Sequence, residues 1–449
     1  MKTYIVSMGC PKNTVDTEAA IGLLQSAGCT IVGDPEEAEL LIVNACSFLD
    51  SAWRETVEEV EHLTHVKQAA PTAKKLVLMG CLPLHKKEGW RDSLPGVDRF
   101  VPSGGHSLLP SIVDSLRKGR DDSGWVESKG LDRFAGFESR VRTTPNHIAY
   151  VKIAEGCSRT CTFCAIPRIR GEMVSRTIEA IVREVKTLRG EGVREVSLLA
   201  QDITSYRDGH RRLPDLVDAI AGTGVEWVRL FYIHPGSLTV DLARRFFEHP
   251  SVCRYLEVPV QHASDRMLRL MGRQHTRAHL DRVLGGIREE FPDAVVRSEV
   301  IVGFPGESDE DFSELKSFIE SVRFASLGVF VYSAEEGTAA ATREEKVVAA
   351  VCSERAAEIA DIQNSITFEL LSSERGRRHR VLVDRRIEKE PAARAGFSHA
   401  GRYYGQAYEI DGEVYLKGRG LAEGDFVMAR ITDADAFDLE AEVDEPQSP

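Results

Sequence analysis

Three cysteines lie close together near the middle of the chain, in the stretch Cys157-Ser-Arg-Thr-Cys161-Thr-Phe-Cys164. This C-x3-C-x2-C spacing lets three thiolates surround one small inorganic centre, and soft thiolates select iron–sulfur clusters or zinc. Three thiolates on a four-iron cluster leave one iron open to a further ligand. The alternative is a zinc site whose fourth ligand comes from elsewhere in the chain. The spacing favours the iron–sulfur centre.

Cys10, Cys46 and Cys81 are far apart in sequence but share one position relative to the predicted strands. Each follows an apolar run that is typical of a buried parallel strand, and Gly9 and Gly80 directly precede two of them. Because parallel strands end at the same edge of a sheet, we expect these three thiols to converge there. Three unrelated core cysteines are the alternative. The repeated placement favours a second cluster, again with one open iron.

The remaining cysteines of the nine, Cys29, Cys253 and Cys352, follow no such pattern, and we interpret them as small buried side chains. An odd number of cysteines argues against a disulfide framework. The opening MKTYIVSMGC lacks the long apolar core of a signal peptide. No apolar stretch approaches the ~20 residues that a membrane span needs. We therefore expect a cytoplasmic protein without a membrane partner.

The residues that carry the second triad alternate apolar runs with helical segments, which predicts an open α/β sheet. The predicted strands are 4–7, 40–43 and 76–79, and the predicted helices are 15–27, 51–68 and 107–117. We assign residues 1–118 to this N-terminal domain. Residues 119–146 are rich in glycine and charge without a clear period, and we interpret them as a linker.

Residues 147–373 contain six strand–helix repeats, which suit a curved, partial (βα)6 barrel. The predicted strands are 148–153, 195–200, 227–232, 255–260, 295–302 and 327–332. The Cys157 triplet follows the first of them, at the end of a barrel where active sites lie. Short strands separated by glycine-rich turns then predict a small all-β barrel over 374–442, and we expect 443–449 to be a disordered tail.

Polar residues at the ends of the barrel strands are candidates to line a cofactor pocket. They are Gln201, Gln261 and Glu299, and ordinary contact with solvent is the alternative for each. Three basic residues, Arg168, Arg170 and Arg176, also crowd just after the triplet, and they can bind a carboxylate. A solvated basic surface is the alternative for this group.

The triplet in its context, GCSRTCTFCAIPRIRG at 156–171, resembles the radical S-adenosylmethionine superfamily. Nearly the whole chain is similar to the methylthiotransferases of that superfamily, and the C-terminal strands resemble their TRAM module. The further matching stretches are Gly9-Cys10-Pro-Lys-Asn13, Asn44-Ala45-Cys46, Met79-Gly80-Cys81, Val302-Gly-Phe-Pro-Gly-Glu307 and Tyr332-Ser with Gly337-Thr338. The Pro-Lys-Asn that follows the first cysteine is similar to the RimO type, whereas the tRNA-modifying MiaB type usually has Gln-Met-Asn there.

The resemblance implies two 4Fe–4S clusters and S-adenosylmethionine as cofactors. Cys157, Cys161 and Cys164 would hold the cluster whose open iron binds S-adenosylmethionine, and Cys10, Cys46 and Cys81 would hold an auxiliary cluster. The candidates for the S-adenosylmethionine pocket are Gln201, Gln261, Glu299 and Arg176. No further catalytic residue is assigned.

The implied reaction is the transfer of a methylthio group to the β-carbon of an aspartate in ribosomal protein S-twelve. A radical derived from S-adenosylmethionine would remove the hydrogen that this group replaces. The substrate would be the free protein or the protein on the small ribosomal subunit. An electron donor such as flavodoxin or ferredoxin is a further implied partner, and the sulfur donor is not identified.

Charge bears on the choice of substrate. The chain has 57 Lys and Arg against 70 Asp and Glu, a formal net charge of −13, which argues against broad binding of nucleic acid. From Glu374 onward 12 basic residues face 16 acidic ones, which suits a basic ribosomal protein better than tRNA. Two alternatives stay open: a tRNA adenosine methylthiotransferase of the MiaB type, and a non-catalytic iron–sulfur protein that transfers electrons or binds RNA.

Overall fold

The computed structural model describes residues 1–70, 73–82, 89–120, 124–126, 131–388 and 396–444. Along these residues an α/β sheet unit, a partial barrel and a small β-barrel follow one another, which confirms the predicted fold class. None of the described helices combines the length and the apolar character that crossing a membrane requires.

The first unit is a parallel sheet with the strand order β2-β1-β3-β4-β5-β6. The strands are β1 (Lys2–Ser7), β2 (Thr30–Ile31), β3 (Leu40–Ala45), β4 (Lys75–Gly80), β5 (Arg99–Pro102) and β6 (Gly124–Trp125). The helices are α1 (Pro11–Ser26), α2 (Asp50–Ala69) and α3 (Leu109–Arg117). Helices cover both faces of the sheet, because Leu40 and Ile42 pack with α1 and α3 while Leu41 and Val43 pack with α2.

The described part of the predicted linker is not a free connection. Gly124 and Trp125 form β6 and extend the first sheet beside β5. Further on, Phe137 is buried against α1 and the barrel, and Arg140 forms ion pairs with Glu18 and Glu184. A two-residue strand and single anchoring side chains leave no periodic pattern in a sequence, so composition alone suggested a linker.

The second unit is a curved parallel sheet with the strand order β7-β10-β13-β14-β15-β16. Its strands are β7 (Ile148–Lys152), β10 (Glu195–Leu199), β13 (Trp227–Leu230), β14 (Val252–Glu257), β15 (Val295–Val302) and β16 (Ser326–Val331). Two short antiparallel ribbons lie outside this sheet: β8 (Ala154–Glu155) pairs with β9 (Val174–Ser175), and β11 (Arg207–Asp208) pairs with β12 (Arg211–Arg212). The six long strands agree with the predicted ones to within a few residues.

Helices cover the outer face of this partial barrel and bury an extended apolar core against the strands. They are α5 (Ile178–Gly190), α6 (Leu213–Ala221), α7 (Val240–Phe247), α9 (Arg277–Glu290), α10 (Asp309–Val322) and α11 (Ala349–Ser372). Two short helices pack elsewhere: α4 (Ile166–Arg170) lies beside Cys81, and α8 (Asp265–Leu270) packs with Phe304. Side chains that start several of these helices cap them, as Ser308 does by accepting a hydrogen bond from the backbone N–H of Asp311.

The third unit is a closed barrel with the strand order β17-β18-β19-β21-β20. Its strands are β17 (Arg378–Arg386), β18 (His399–Tyr403), β19 (Val414–Lys417), β20 (Phe426–Ala434) and β21 (Leu439–Val443). After Tyr403, at the end of β18, the chain turns before β19 begins. The last strand reaches Val443, one residue beyond the expected end of this unit, and 445–449 of the predicted tail lie outside the described residues.

Both neighbouring units fill the inner side of the partial barrel. Tyr150, Phe231 and Tyr255 from the barrel strands pack with Val15 of α1 and with Ala407 of the third unit. This packing holds α1 against the barrel. Because Cys10 directly precedes α1, it also brings the first unit to the end of the barrel that carries the Cys157 triplet.

Candidate active site at the barrel mouth

Both cysteine triads line one cavity of about 420 Å³ at the junction of the first two units. The lining thiols are Cys10, Cys46 and Cys81 from the sheet unit and Cys157, Cys161 and Cys164 from the barrel. All nine cysteines are free thiols. Cys29, Cys253 and Cys352 are buried elsewhere and do not line this cavity.

The barrel triad lies in the loop between β8 and α4. The backbone N–H of Cys157 donates to the carbonyl of Gly171 at 3.0 Å, and that of Cys164 donates to the carbonyl of Cys161 at 3.2 Å. Gly156 has a φ of +81°, and a Cβ there would lie 2.2 Å from the carbonyl oxygen of Glu172. The loop therefore needs glycine at this position in order to close beside the triad.

The sheet triad sits where β1, β3 and β4 end. The side-chain amide of Asn13 ties two of the loops together, because Nδ2 donates to the carbonyls of Met8 and Ala45, each at 2.8 Å. Gly9 has a φ of +87°, and a Cβ there would lie 2.9 Å from the Cys46 sulfur. The backbone thus approaches the thiols as closely as a glycine permits.

Arg170, at the end of α4, connects the sheet triad to the barrel. Its Nε donates to the Cys81 sulfur at 3.1 Å, and its Nη1 forms an ion pair with Glu155 at 2.7 Å. Asp16 and Lys152 complete a buried group in which two cations face two carboxylates. Sequence reasoning placed Arg170 only within a basic cluster, since its partners come from three separate segments.

The electrostatics of the sheet triad depend on burial and on nearby cations. Burial raises the pKa of the Cys81 thiol to about 12, although Arg170 opposes this shift. Burial also acts on Cys10, but the charges of Lys12 and Arg170 outweigh it and lower the pKa of that thiol. Coordination to a metal deprotonates a thiol outright, so these groups can still serve as ligands.

The donor set fits iron–sulfur clusters. Within the described ranges, no three His, Cys, Asp or Glu side chains are placed to hold a single metal ion. A four-iron cluster does not require three side chains around one metal ion, because each thiolate binds its own iron. Two sets of three free thiols, each beside a close-approaching glycine, match that requirement.

Three of the four residues predicted to line a cofactor pocket do line this cavity, namely Gln201, Gln261 and Glu299. In the described part of the chain, the buried Oε1 of Gln201 has no hydrogen-bond partner, so it can accept from a bound molecule. Gln261 has a φ of +69°, which is uncommon for a residue with a side chain. Backbone hydrogen bonds of 2.8 Å to Glu299 and Ile301 hold it in this conformation.

Arg176, the fourth of these predicted residues, does not line the cavity. Its guanidinium pairs with Glu184 of α5 and donates to the carbonyl of Lys152 at 2.9 Å. The chain turns back after α4, so Arg176 lies buried beside β7 over the ring of Phe137. The short sequence distance between the triplet and Arg176 does not show that the chain turns back between them.

Lys12 and Tyr232 are cavity residues that the sequence did not single out. The Nζ of Lys12 lies 3.2 Å from the centre of the Tyr232 ring, and burial lowers the pKa of this lysine. Tyr232 has a φ of +62°, and its N–H donates to Glu257 at 3.2 Å. The sequence could have indicated Tyr232 as a cavity residue, because it is the last residue of the predicted barrel strand 227–232.

Comparisons with known proteins agree with this architecture. Three families match: the Radical SAM superfamily over residues 151–319, Uncharacterized protein family UPF0004 over 2–102, and the TRAM domain over 376–443. A curated relative from Desulfitobacterium hafniense (strain Y51), named "Ribosomal protein uS12 methylthiotransferase RimO", is 37% identical over 98% of both chains. The relative of the same name from Thermotoga maritima is 38% identical over 98% of this chain and 99% of its own.

The chain belongs to the RimO family of methylthiotransferases. It is therefore a radical S-adenosylmethionine transferase that uses iron–sulfur chemistry. The alternative of a non-catalytic iron–sulfur protein is wrong, and the RimO names of these relatives do not favour a tRNA enzyme of the MiaB type.

Solved structures share the fold of this RimO-family chain at low sequence identity. The radical S-adenosylmethionine methyltransferase TsrM from Kitasatospora setae matches 75% of the chain with 74% of its own, with a TM-score of 0.55 and 13% identity. The cobalamin-dependent enzyme OxsB matches 81% of the chain with 57% of its own, with a TM-score of 0.51 and 11% identity. Their likeness to this chain is one of fold.

Proposed function

We propose that this protein adds a methylthio group to the β-carbon of an aspartate in ribosomal protein S-twelve. The relatives above are named as methylthiotransferases of ribosomal protein uS12. The aspartate β-carbon as the acceptor is part of the proposal. The single observation that supports it most is the shared cavity, because two triads of free thiols from different units open onto the same space. A reaction that brings a radical and a sulfur group to one carbon needs such an arrangement.

In this proposal Cys157, Cys161 and Cys164 hold one 4Fe–4S cluster, and the sheet triad holds the other. When bound, the clusters and S-adenosylmethionine supply the radical that removes one hydrogen and the methylthio group that replaces it. Gln201, Gln261 and Glu299 are the proposed contacts of S-adenosylmethionine, since they line the cavity beside the barrel triad.

The chain's own residues fix distances and keep water out. Arg170 and Asn13 bind both the sheet triad and the barrel, so the two halves of the cavity keep one relative position. Apolar side chains cover part of the wall, and they include Phe48, Phe163 and Phe330. A dry wall protects reactive species from side reactions.

The proposed partners follow from this chemistry. A protein substrate on the small ribosomal subunit, or free before assembly, would place the enzyme in the cytoplasm. One-electron reduction requires a donor such as flavodoxin or ferredoxin. A source of sulfur is also required, and no residue of the cavity identifies it.

The deciding experiment compares ribosomal proteins and bulk tRNA from a deletion strain and from the same strain complemented with this chain. We expect complementation to add about 46 Da to protein S-twelve, the mass of a methylthio group replacing hydrogen, with the group on aspartate. A complemented strain that carries the group on tRNA adenosine instead would overturn the substrate while leaving the reaction class intact.

A further inference from the structure

Lys12 is a buried cation that lines the cavity without a carboxylate in contact among the described residues. It lies in the first turn of α1, two residues after Cys10, and only 8% of its surface is exposed. Among the described residues, no ion pair or hydrogen bond engages its ammonium, which lies over the face of the Tyr232 ring. A cation–π contact leaves the N–H groups free to donate elsewhere.

The other cations of the cavity wall are engaged or lie elsewhere. Arg170 is paired with Glu155, and Arg159 is paired with Asp202 at 2.7 Å. Arg273 has no carboxylate partner among the described residues, but its guanidinium donates to the carbonyl of Pro259 and lies near the ring of Phe163, beside the barrel triad. Lys12 is thus the cation with spare donors on the side of the sheet triad.

The nearby carboxylates do not neutralise Lys12 by contact. Glu257 lies 3.8 Å and Glu299 lies 4.0 Å from the guanidinium of Arg297, which is itself 3.5 Å from Asp411 of the third unit. These acids therefore share a different cation. A buried cation without a partner is costly, so a site that keeps one gains by binding an anion.

We propose that Lys12 is a specificity-determining residue that binds the side-chain carboxylate of the substrate aspartate. This inference rests on the proposed function. The β-carbon of aspartate is bonded directly to its carboxyl carbon. A carboxylate held on Nζ of Lys12 therefore sets the reacting carbon inside the cavity between the two triads, on the side of Cys10.

Tyr232 has a positioning role in this arrangement. Its uncommon backbone conformation, with a φ of +62°, turns the ring under the ammonium of Lys12. The ring restricts the ammonium to one side of the cavity and supplies no competing charge. The pair thus favours a compact anion such as a carboxylate over a neutral amide of the same shape, because the amide oxygen can accept a hydrogen bond but carries no charge.

The test uses the anaerobically reconstituted enzyme and two synthetic peptides of the S-twelve loop that differ only in Asp or Asn at the target position. Dissociation constants for both peptides are measured with wild type, Lys12→Met, Lys12→Arg and a control, Lys186→Met, at an exposed lysine of α5. We expect wild type and the control to prefer the Asp peptide about tenfold or more, as a charge-assisted hydrogen bond should give.

Lys12→Met should bring the ratio of the two dissociation constants close to one by weakening the binding of the Asp peptide alone. Lys12→Arg should restore most of the preference for the Asp peptide. The KM for the Asp peptide should rise more than kcat falls. Because each ratio is taken within one variant, a general loss of affinity cancels. A ratio that Lys12→Met leaves unchanged would overturn the inference.

Measuring the iron content distinguishes the proposed role of Lys12 in binding substrate from a role in holding the auxiliary cluster. If Lys12→Met and Lys12→Gln both lose about four irons while Lys12→Arg keeps them, Lys12 serves the cluster and the inference fails. The proposed function fails separately, namely when wild type leaves the Asp peptide unmodified and modifies tRNA.

Discussion

The six cavity cysteines and the three others differ in what surrounds their thiols. Cys29 belongs to the apolar core between the sheet, α1 and α3, and Cys253 of β14 packs among Tyr255 and its neighbours. Cys352 of α11 lies against Gly303, where a Cβ would meet its sulfur at 2.3 Å. The cavity thiols instead face open space beside polar and charged groups. The first group therefore packs, and the second is available for ligation.

Single cysteine variants should divide the iron content accordingly. Wild type should reconstitute with about eight irons, and Cys161→Ala and Cys46→Ala should each lose about four. Cys161→Ala should also abolish cleavage of S-adenosylmethionine under dithionite, whereas Cys46→Ala should retain it. The measurements are iron analysis and the yield of 5′-deoxyadenosine.

Cys253→Ala is the control, because its thiol is buried and packs in the core rather than lining the cavity. It should keep all of the iron and lose about 1–2 kcal/mol of stability at most. Full iron content in Cys46→Ala would contradict the second cluster.

Glu257 gives the stability of the protein a pH dependence of known sign. Burial, together with the charge of Glu299, raises the pKa of Glu257 from 4.5 to about 7. Between these two values the folded protein keeps a proton that the unfolded chain releases. Stability therefore falls as the pH rises through this window, and the loss is complete above pH 7.

Glu257→Gln should remove this loss. Relative to wild type, its free energy of unfolding should improve by about 2–3 kcal/mol between the acidic and the neutral end of the window. Urea unfolding at several pH values measures the difference, and Glu58→Gln at an exposed position of α2 is the control. A difference between variant and wild type that does not change with pH would rule out the raised pKa.

A buried charge network joins the elements of the third unit to those of the partial barrel. Arg402 of β18 forms ion pairs with Asp384 of β17 at 2.7 Å and with Glu195 of β10 at 2.9 Å. Glu195 also pairs with Arg229 of β13 at 2.8 Å, and His147 contacts Asp384 at 3.0 Å. All of these side chains are almost fully buried. The network thus fixes how the small barrel sits on the strands.

Removing Arg402 should loosen this junction. Arg402→Met leaves the carboxylates of Asp384 and Glu195 short of positive charge, which typically costs about 3–5 kcal/mol when a buried pair is broken. Arg183→Met is the control, since its pair with Glu138 is exposed on both sides and should be worth about 0–1 kcal/mol.

The two variants are compared by urea unfolding and by proteolysis at the junction. Equal stabilities would show that the network does not hold the small barrel in place.

At the scale of the whole molecule, the cavity exists only where two units meet, and the third unit closes the opposite side of the barrel. The net charge of −13 is accompanied by a C-terminal unit in which acidic residues also outnumber basic ones. A negative surface accelerates the encounter with a basic protein and slows the encounter with nucleic acid. The rate of association should therefore depend on charge in a way that distinguishes a basic protein from nucleic acid as the substrate.

The dependence of the reaction rate on salt should test this effect of charge. Raising the salt from about 0.05 to about 0.3 M should lower kcat/KM for S-twelve several-fold, while cleavage of S-adenosylmethionine without substrate stays constant. The double variant Asp433→Lys with Glu442→Lys, at exposed positions of the third unit, should act in the same direction.

The control, Glu58→Lys with Glu61→Lys on α2, has the same net charge and should have a smaller effect. Faster modification of tRNA by the Asp433/Glu442 variant would contradict a protein substrate.

The sequence by itself determined the triads and the elements that carry them. The C-x3-C-x2-C spacing is local, and each cysteine of the other triad follows a strand whose apolar run can be read directly. The six long barrel strands were predicted for the same reason, since buried parallel strands and amphipathic helices repeat along the chain. A polar residue at a strand end also predicts a position at the barrel mouth, which placed Gln201, Gln261 and Glu299 in the cavity.

Only the tertiary structure decided which charged residues face that cavity. Arg170 and Arg176 lie six residues apart in one basic stretch, yet the first contacts Cys81 and the second is buried against Glu184. The contact between Lys12 and Tyr232 joins two units of the protein. Such contacts depend on how units pack and where the chain reverses, and no local period encodes either.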